Sequence, residues 1–224
     1  MMKSLHSWDL SPSEAIALQK ELQPQIEIKP LQNEPKFVAG ADLSFDLGSD
    51  TVYAGIVVLS FPALEIVEEC GIQTTAPFPY VPGLLSFREA PAILEVWEKL
   101  EQKPDVLMLD GQGTAHPRRF GIACHVGLWL GIPTIGCGKT LLCGKWENLG
   151  EKRGESAPIV HRGEKIGAAL RTRDKVNPIF VSPGHWCDLE SALDLTLRCG
   201  AGLKLPEPTR RAHGFVNRLR RGED

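Results

Sequence analysis

The densest chemistry in the chain lies in DVLMLDGQGTAHPRR, positions 105 to 119, where an apolar run ends in an acid, two spaced glycines and a His-Pro pair. Val106, Leu107, Met108 and Leu109 suit a strand buried on both faces of a largely parallel sheet. Asp110 then falls at the carboxyl end of that strand, where open α/β sheets bind ligands, and Gly111 and Gly113 let a substrate come close to the backbone. Asp before Gly also starts ordinary turns, so the assignment depends on other acids. Two stand out: Asp42, inside FVAGADLSFD, and Glu89, inside SFREAPAILEVWEKLEQ. Carboxylates gathered at a sheet centre repel one another unless a cation lies between them.

The elements that must deliver these acids can be read from spacing. Ser11, Pro12 and Glu14 make a capping box with proline at the first helical position, which predicts a helix to about Leu22. From Phe37 the pattern alternates: Phe37, Ala39, Ala41, Leu43 and Phe45 share one face, and Val38, Gly40, Asp42 and Ser44 the other. Asp42 is thus mid-strand on the less bulky face. A turn at DLGSD leads into TVYAGIVVLSF, and a second around Pro62 into LEIVEECG, predicting a three-stranded antiparallel meander. TTAPFPYVPGLLSF, rich in proline and glycine, predicts an ordered loop of the kind that carries function. Ser86 then opens a helix to about Gln102, with Phe87, Ala90, Ile93, Leu94, Trp97 and Leu100 as its core stripe. Glu89 lies beside that stripe, yet it also completes Ser86-x-x-Glu89, so spacing leaves open a capping box or a place at the sheet.

Beyond the central strand, RRFGIACHVGLWLG reads as a helix and PTIGCGKTLLCG as a short strand ending near Lys139. The GKT is no phosphate loop, because the Walker pattern needs glycine where Pro133 stands. Lys145 to Arg162 reads as an exposed excursion, and IGAALRTR and NPIFVSPGH as two strands about a turn at Asn177-Pro178. Asp188 caps a helix with Leu189, Leu193 and Leu197 aligned and Gly200 as its stop. A last helix follows Pro208, with Ala212, Phe215, Val216 and Leu219 buried. His213 lies on its flank, open to a cleft or to packing.

Three antiparallel strands, a helix, a strand, a helix and a further strand, with acids on the first strand, the first core helix and the fourth strand, is the RNase H-like α/β plan. The 224 residues show no linker or abrupt change in composition, so one domain spanning 1–224 is expected. With 42% apolar and 24% charged residues the chain can bury a sizeable core and is not of the disordered class. No apolar run reaches the roughly 20 residues of a membrane span, and MMKSLHSWDLSPSE lacks a signal-peptide core, so the cytoplasm is the expected compartment. Cys70, Cys124, Cys137, Cys143, Cys187 and Cys199 form no C-x-x-C pair, and reduced thiols fit better than disulfides or a zinc group of Cys137, Cys143, His185 and Cys187. A net charge of −3 argues against a uniformly nucleic-acid-binding surface. Locally, Arg210, Arg211, Arg218, Arg220 and Arg221 crowd the C-terminal segment, as a phosphate-contacting patch or a solvated helix face.

The motifs VAGADLSF, PYVPGLLSFREAP, LDGQGTAHPRRFGIACHVG, GCGKT, LRTR, PIFVSPGH and RRAHG occur in that order over positions 38 to 214. In them the chain resembles the endonuclease V family, the deoxyinosine 3′ endonucleases, in which PYVP more often carries Ile at its third position. The resemblance implies a Mg²⁺-dependent nuclease of damaged DNA, with Asp42 and Asp110 as metal-binding acids and Glu89 as the third. It further implicates His116, Lys139 and His213 around the phosphate, and Pro79, Tyr80, Val81 and Pro82 as a wedge in the DNA. Tyr80 suits that task, since extruding a base costs a few kcal/mol that an inserted aromatic partly offsets, although Pro-Tyr-Val-Pro also makes a surface turn. Gly83, Leu84 and Leu85, with Gly121 and Ile122, are expected to line the base pocket. The implied reaction is attack of magnesium-activated water on the second phosphodiester bond 3′ to deoxyinosine, leaving 3′-hydroxyl and 5′-phosphate ends. A monomer acting on deoxyinosine DNA is expected, inosine in RNA is an alternative substrate, and a binding module without catalysis is the competing class.

Overall fold

The computed structural model describes residues 4–46 and 48–223, so Leu47, in the first predicted turn, lies outside the described residues. The alternation of FVAGADLSF builds the centre of the sheet. Phe37–Phe45 forms β1, and Thr51–Ser60 (β2) and Ile66–Thr75 (β3) follow it as the predicted antiparallel meander. Val106–Leu109 (β4) lies parallel on the other side of β1, and Thr134–Gly138 (β5) lies parallel to β4. Ser156–His161 (β6), Glu164–Leu170 (β7) and Ile179–Pro183 (β8) complete one sheet of order β3-β2-β1-β4-β5-β8-β7-β6. The first five strands in that order are the expected RNase H-like arrangement.

Helices cover both faces, so strand residues of both parities are buried. Ala39, Ala41, Ile56, Leu107 and Leu109 pack against Ile93 and Trp97 of α2 (Leu85–Lys99) and Ile122 and Val126 of α3 (Ile122–Leu130). Val38, Val57, Met108 and Val181 pack on the opposite face against Leu195 of α4 (Leu189–Arg198) and Phe215 and Val216 of α5 (Glu207–Arg221). Burying each such side chain contributes about 1.5–3 kcal/mol. The N-terminal helix α1 (Pro12–Leu22) starts as expected, with the Ser11 amide donating to Glu14 Oε2 at 2.7 Å and the Glu14 amide to Ser11 Oγ at 3.4 Å.

Four expectations are corrected. Helix α2 begins at Leu85 and has no side-chain cap, so Ser86 and Glu89 form no capping box. Ser86 Oγ is instead bonded to His125 of α3, a contact between residues 39 apart. Helix α3 begins at Ile122, because Arg119 at φ 56° and the bonds of the preceding loop keep 118–121 out of the helix. The excursion from 145 to 162 contains β6, in which exposed Ser156, Pro158 and Val160 alternate with buried Ala157 and Ile159 and which pairs with β7. In α4 the buried residues are Ala192, Leu195 and Thr196, while the aligned leucines lie at its half-buried rim. Small Ala192 and Thr196 let that helix sit close to its neighbours.

One glycine sets where α5 crosses the sheet. A Cβ on Gly40 would overlap the Pro208 carbonyl, so the absence of a side chain there lets the start of α5 rest directly on β1. That contact fixes the height of His213 above the strand.

Candidate active site

Strand register brings the two aspartates together. Ala41 of β1 is paired with Leu109 of parallel β4, so Asp42 and Asp110 are the next residues on neighbouring strands. The Asp110 amide donates to Ala41 O at 3.3 Å, carrying the pairing to the strand end. From above, His213 of α5 places Nδ1 2.7 Å from Asp42 Oδ2. One ligand-capable atom from each of Asp42, Asp110 and His213 lies within 4.8 Å of the others, the only such His, Cys, Asp or Glu group of three or more among the described residues. The cysteines are all free and form no metal group among those residues.

Electrostatics mark the same spot. Burial raises the Asp110 pKa, the Asp42 charge adds to the effect, and the Lys139 ammonium opposes it. Lys139, one residue beyond β5, pairs directly with Asp110 Oδ2. The bond to Asp42 raises the pKa of His213. Glu89 is buried on α2 outside the tight trio, where burial first and the charges of Asp42 and Asp110 next push its carboxyl up to about 8. At neutral pH without a cation, Glu89 therefore holds its proton. Glu89 and Asp110, both raised by burial and by the nearby Asp42 charge, form with it an arrangement that a divalent cation would relieve.

Asp42, Glu89, Asp110 and Lys139 open into a cavity of about 440 Å³. Gly83, Leu85, Gly111, Gly121 and Ile122 contribute to its wall, with Tyr80, Val81 and Pro82 from the Pro-rich loop. Tyr80 is 70% exposed, a large aromatic held in solvent beside a cavity. Two expected residues are placed elsewhere. Pro79 does not line the cavity, and Leu84 is buried with Ala15, Phe78 and Phe87, so it anchors the loop rather than facing a ligand.

That anchoring has a polar half. Gly83, at φ 79°, turns its carbonyl inward, where it accepts from Gln19 Nε2 at 3.1 Å, His116 Nε2 at 3.0 Å and Arg118 Nη2 at 2.6 Å. His116 Nδ1 accepts from the Arg118 amide at 3.1 Å, and burial brings the ring's pKa down to about 4. Its two nitrogens are thus used within the chain in the neutral form. Contact with a phosphate would require His116 to give one of these bonds up.

Sequence reasoning missed Gln19, Ser86, Gln112 and the 140–142 segment, all of which line the cavity. Gln19 had a signal, as a polar residue at helical spacing from Ala15 and Leu22 on the buried face of α1. Ser86 had none, because its partner belongs to a distant helix.

The family model described as Endonuclease V matches residues 20–214. Endonuclease V of Myxococcus xanthus is 51% identical over 217 residues, covering 96% of this chain and 92% of the relative. The crystal structure of endonuclease V from Streptomyces avermitilis superposes with a TM-score of 0.92 at 39% identity, covering 96% of each chain. Endonuclease V of Ciona intestinalis, in complex with a 23mer DNA containing an inosine followed by a ribo-adenosine, superposes with a TM-score of 0.85 at 26% identity, covering 96% of this chain and 100% of that one. Extent of match, identity and superposition agree, and the chain belongs to the endonuclease V family.

Proposed function

We propose that this protein is a Mg²⁺-dependent DNA repair endonuclease that recognises deoxyinosine and hydrolyses the second phosphodiester bond on its 3′ side, leaving 3′-hydroxyl and 5′-phosphate ends. The observation that carries the reading is the convergence of Asp42, Asp110 and His213 beside a cavity bordered by an exposed Tyr80. The inosine-containing DNA bound by the Ciona intestinalis protein supports the choice of substrate.

The donor set fits magnesium, a hard cation that prefers carboxylate oxygens. Asp42 and Asp110 would hold it, with Glu89 in reserve should its carboxyl lose the proton that burial and, after it, neighbouring charges keep on it. When bound, the cation supplies Lewis acidity and makes water acidic enough to serve as a nucleophile near neutral pH. The protein's own groups do the rest. Lys139, now paired with Asp110, would offer a compact positive charge to the scissile phosphate. His213 keeps Nδ1 on Asp42, while Nε2 accepts from Asn217 Nδ2 at 3.3 Å and would hold or move a proton once that longer contact is given up. Tyr80 enters the space vacated by the extruded base, and Gly83, Leu85, Gly121 and Ile122 enclose that base. His116 acts as a positioning residue for the Gly83 turn.

A duplex bearing one inosine, incubated with and without Mg²⁺, tests the assignment. One nick at the second 3′ bond is expected, dependent on both metal and inosine. Asp110→Ala should slow nicking at least about a hundredfold while inosine-DNA binding stays within severalfold. Unchanged cleavage by that variant removes Asp110 from the reaction. A second reading, action on inosine in RNA, is favoured by the ribo-adenosine that follows inosine in the Ciona intestinalis complex. Cleavage rates on matched DNA and RNA strands separate the two.

A further inference from the structure

A chain of hydrogen bonds runs from the N-terminal segment to the cavity, and its proton positions can be deduced. His6 Nδ1 lies 2.8 Å from Ser7 O, His6 Nε2 lies 2.7 Å from His125 Nε2, and His125 Nδ1 lies 3.0 Å from Ser86 Oγ. A carbonyl only accepts, so His6 carries its proton on Nδ1 and, as a neutral ring, accepts at Nε2. His125 must then donate from Nε2, which makes its Nδ1 an acceptor. The Ser86 hydroxyl is therefore the donor to His125, and its proton points away from the cavity that Ser86 lines.

The surroundings enforce this neutral arrangement. His125 is fully buried, and the His6 ring packs edge-on against the stacked indoles of Trp8 and Trp129 at centroid distances of 4.5 and 4.9 Å. Burial lowers the pKa of both rings, that of His125 well below its ordinary value. A second observation concerns the neighbouring wall. The Gly83 carbonyl, the nearby backbone acceptor of the loop, is already taken by Gln19, His116 and Arg118. Among these wall groups, Ser86 Oγ is the one whose lone pairs are left for a ligand.

We infer that Ser86 is a specificity-determining residue, held by the His6–His125 relay as a hydrogen-bond acceptor for the ring N1–H of an extruded 6-oxopurine. This rests on the deoxyinosine reading above and deepens it. Hypoxanthine carries a proton on N1 and adenine a lone pair, so an acceptor with no proton to give favours the first and opposes the second. A free hydroxyl could rotate to satisfy either base. The two histidines remove that freedom and are positioning residues, since neither touches the ligand.

Binding of inosine and adenine duplexes of otherwise identical sequence, read by fluorescence anisotropy, tests the relay. Ser86→Ala should reduce the inosine-over-adenine preference about tenfold, the worth of one net hydrogen bond. His125→Ala should lose about as much, and the double variant no more than Ser86→Ala alone. His125→Gln, which retains one donor and one acceptor, should restore most of the preference. Long-range ¹H–¹⁵N spectra of the unmodified protein should show the Nδ1–H tautomer for His6 and the Nε2–H tautomer for His125, a readout that does not depend on any variant folding. Opposite tautomers, additive losses, or equal weakening on both duplexes overturn the proposal. If the unmodified protein has no preference for inosine, the deoxyinosine reading fails instead, and the tautomers still report on the relay.

Discussion

Tyr80 is an aromatic kept 70% in solvent by two flanking prolines and a well-anchored loop. Phe78 and Leu84 bury themselves on either side of it, and Arg88 donates to Phe78 O at 2.7 Å. The loop is thereby pre-organised, so a wedge at its tip loses little conformational freedom on entering a base stack. Tyr80→Ala should therefore weaken binding to inosine DNA by about tenfold while leaving the salt dependence of binding to undamaged DNA unchanged, because the backbone contacts remain. Titrating affinity against salt on both duplexes checks this; equal losses on the two make Tyr80 an ordinary surface residue. At this scale the sequence was informative wherever a residue's place is set by its own strand or loop. The positions of Asp42, Asp110 and Tyr80 are of that kind. It was blind where the partner is remote: Ser86 and Glu89 have the spacing of a capping box, and only the arrival of His125 across the sheet's helical layer draws Ser86 Oγ away from a capping role.

Elements hold the acids at their working heights. Alternation in β1 sends Asp42 to the α5 face while Ala39 and Ala41 pack on the other, and a one-residue slip would exchange them. The height of α5 depends on Gly40, where a methyl group would overlap backbone at Pro208 rather than a movable side chain. Gly40→Ala should accordingly tilt or lift α5, break the bond between His213 and Asp42, and destabilise the protein by about 1–3 kcal/mol through overpacking. Nicking should fall far more than this stability loss explains at temperatures where the variant is folded. Full activity of a folded Gly40→Ala protein would show that the close crossing is not what positions His213. The expected meander, the buried β4 and the flank position of His213 were legible because hydrophobic period and turn chemistry are local signals. The β6 strand was not, because it follows a charged, glycine-rich stretch and carries Pro158 within its alternation, so that pairing with β7 rather than local pattern defines it.

In the molecule as a whole, burial first, and the charges of Asp42 and Asp110 next, oppose ionisation of Glu89, and that opposition should be measurable as stability. For Glu89 the folded pKa is raised to about 8 from an ordinary 4.5, so folding favours its protonated form. Below about pH 4.5 the group is protonated folded or unfolded, and no penalty exists. As pH rises from 4.5 towards 8 the unfolded chain releases the proton and the folded one retains it, so stability falls across that window. At pH 7.5 the difference is about 4 kcal/mol at 1.36 kcal/mol per pKa unit. Glu89→Gln mimics the protonated carboxyl and lacks the penalty. With metal chelated, the variant should melt at nearly the same temperature as the natural chain at pH 4.5. It should melt about 8–16 °C higher at pH 7.5, taking 2–4 °C per kcal/mol for a chain of this size. Adding Mg²⁺ should raise the melting temperature of the natural chain in proportion to RT ln(1 + [Mg²⁺]/Kd), and raise that of the variant less, because the variant lacks a carboxyl group that could ionise beside the cation. Melting curves of the two proteins at both pH values, with chelator and with Mg²⁺, decide the matter. A gap between them that stays constant with pH would mean that Glu89 does not feel Asp42 and Asp110, and that the acids are not a single site.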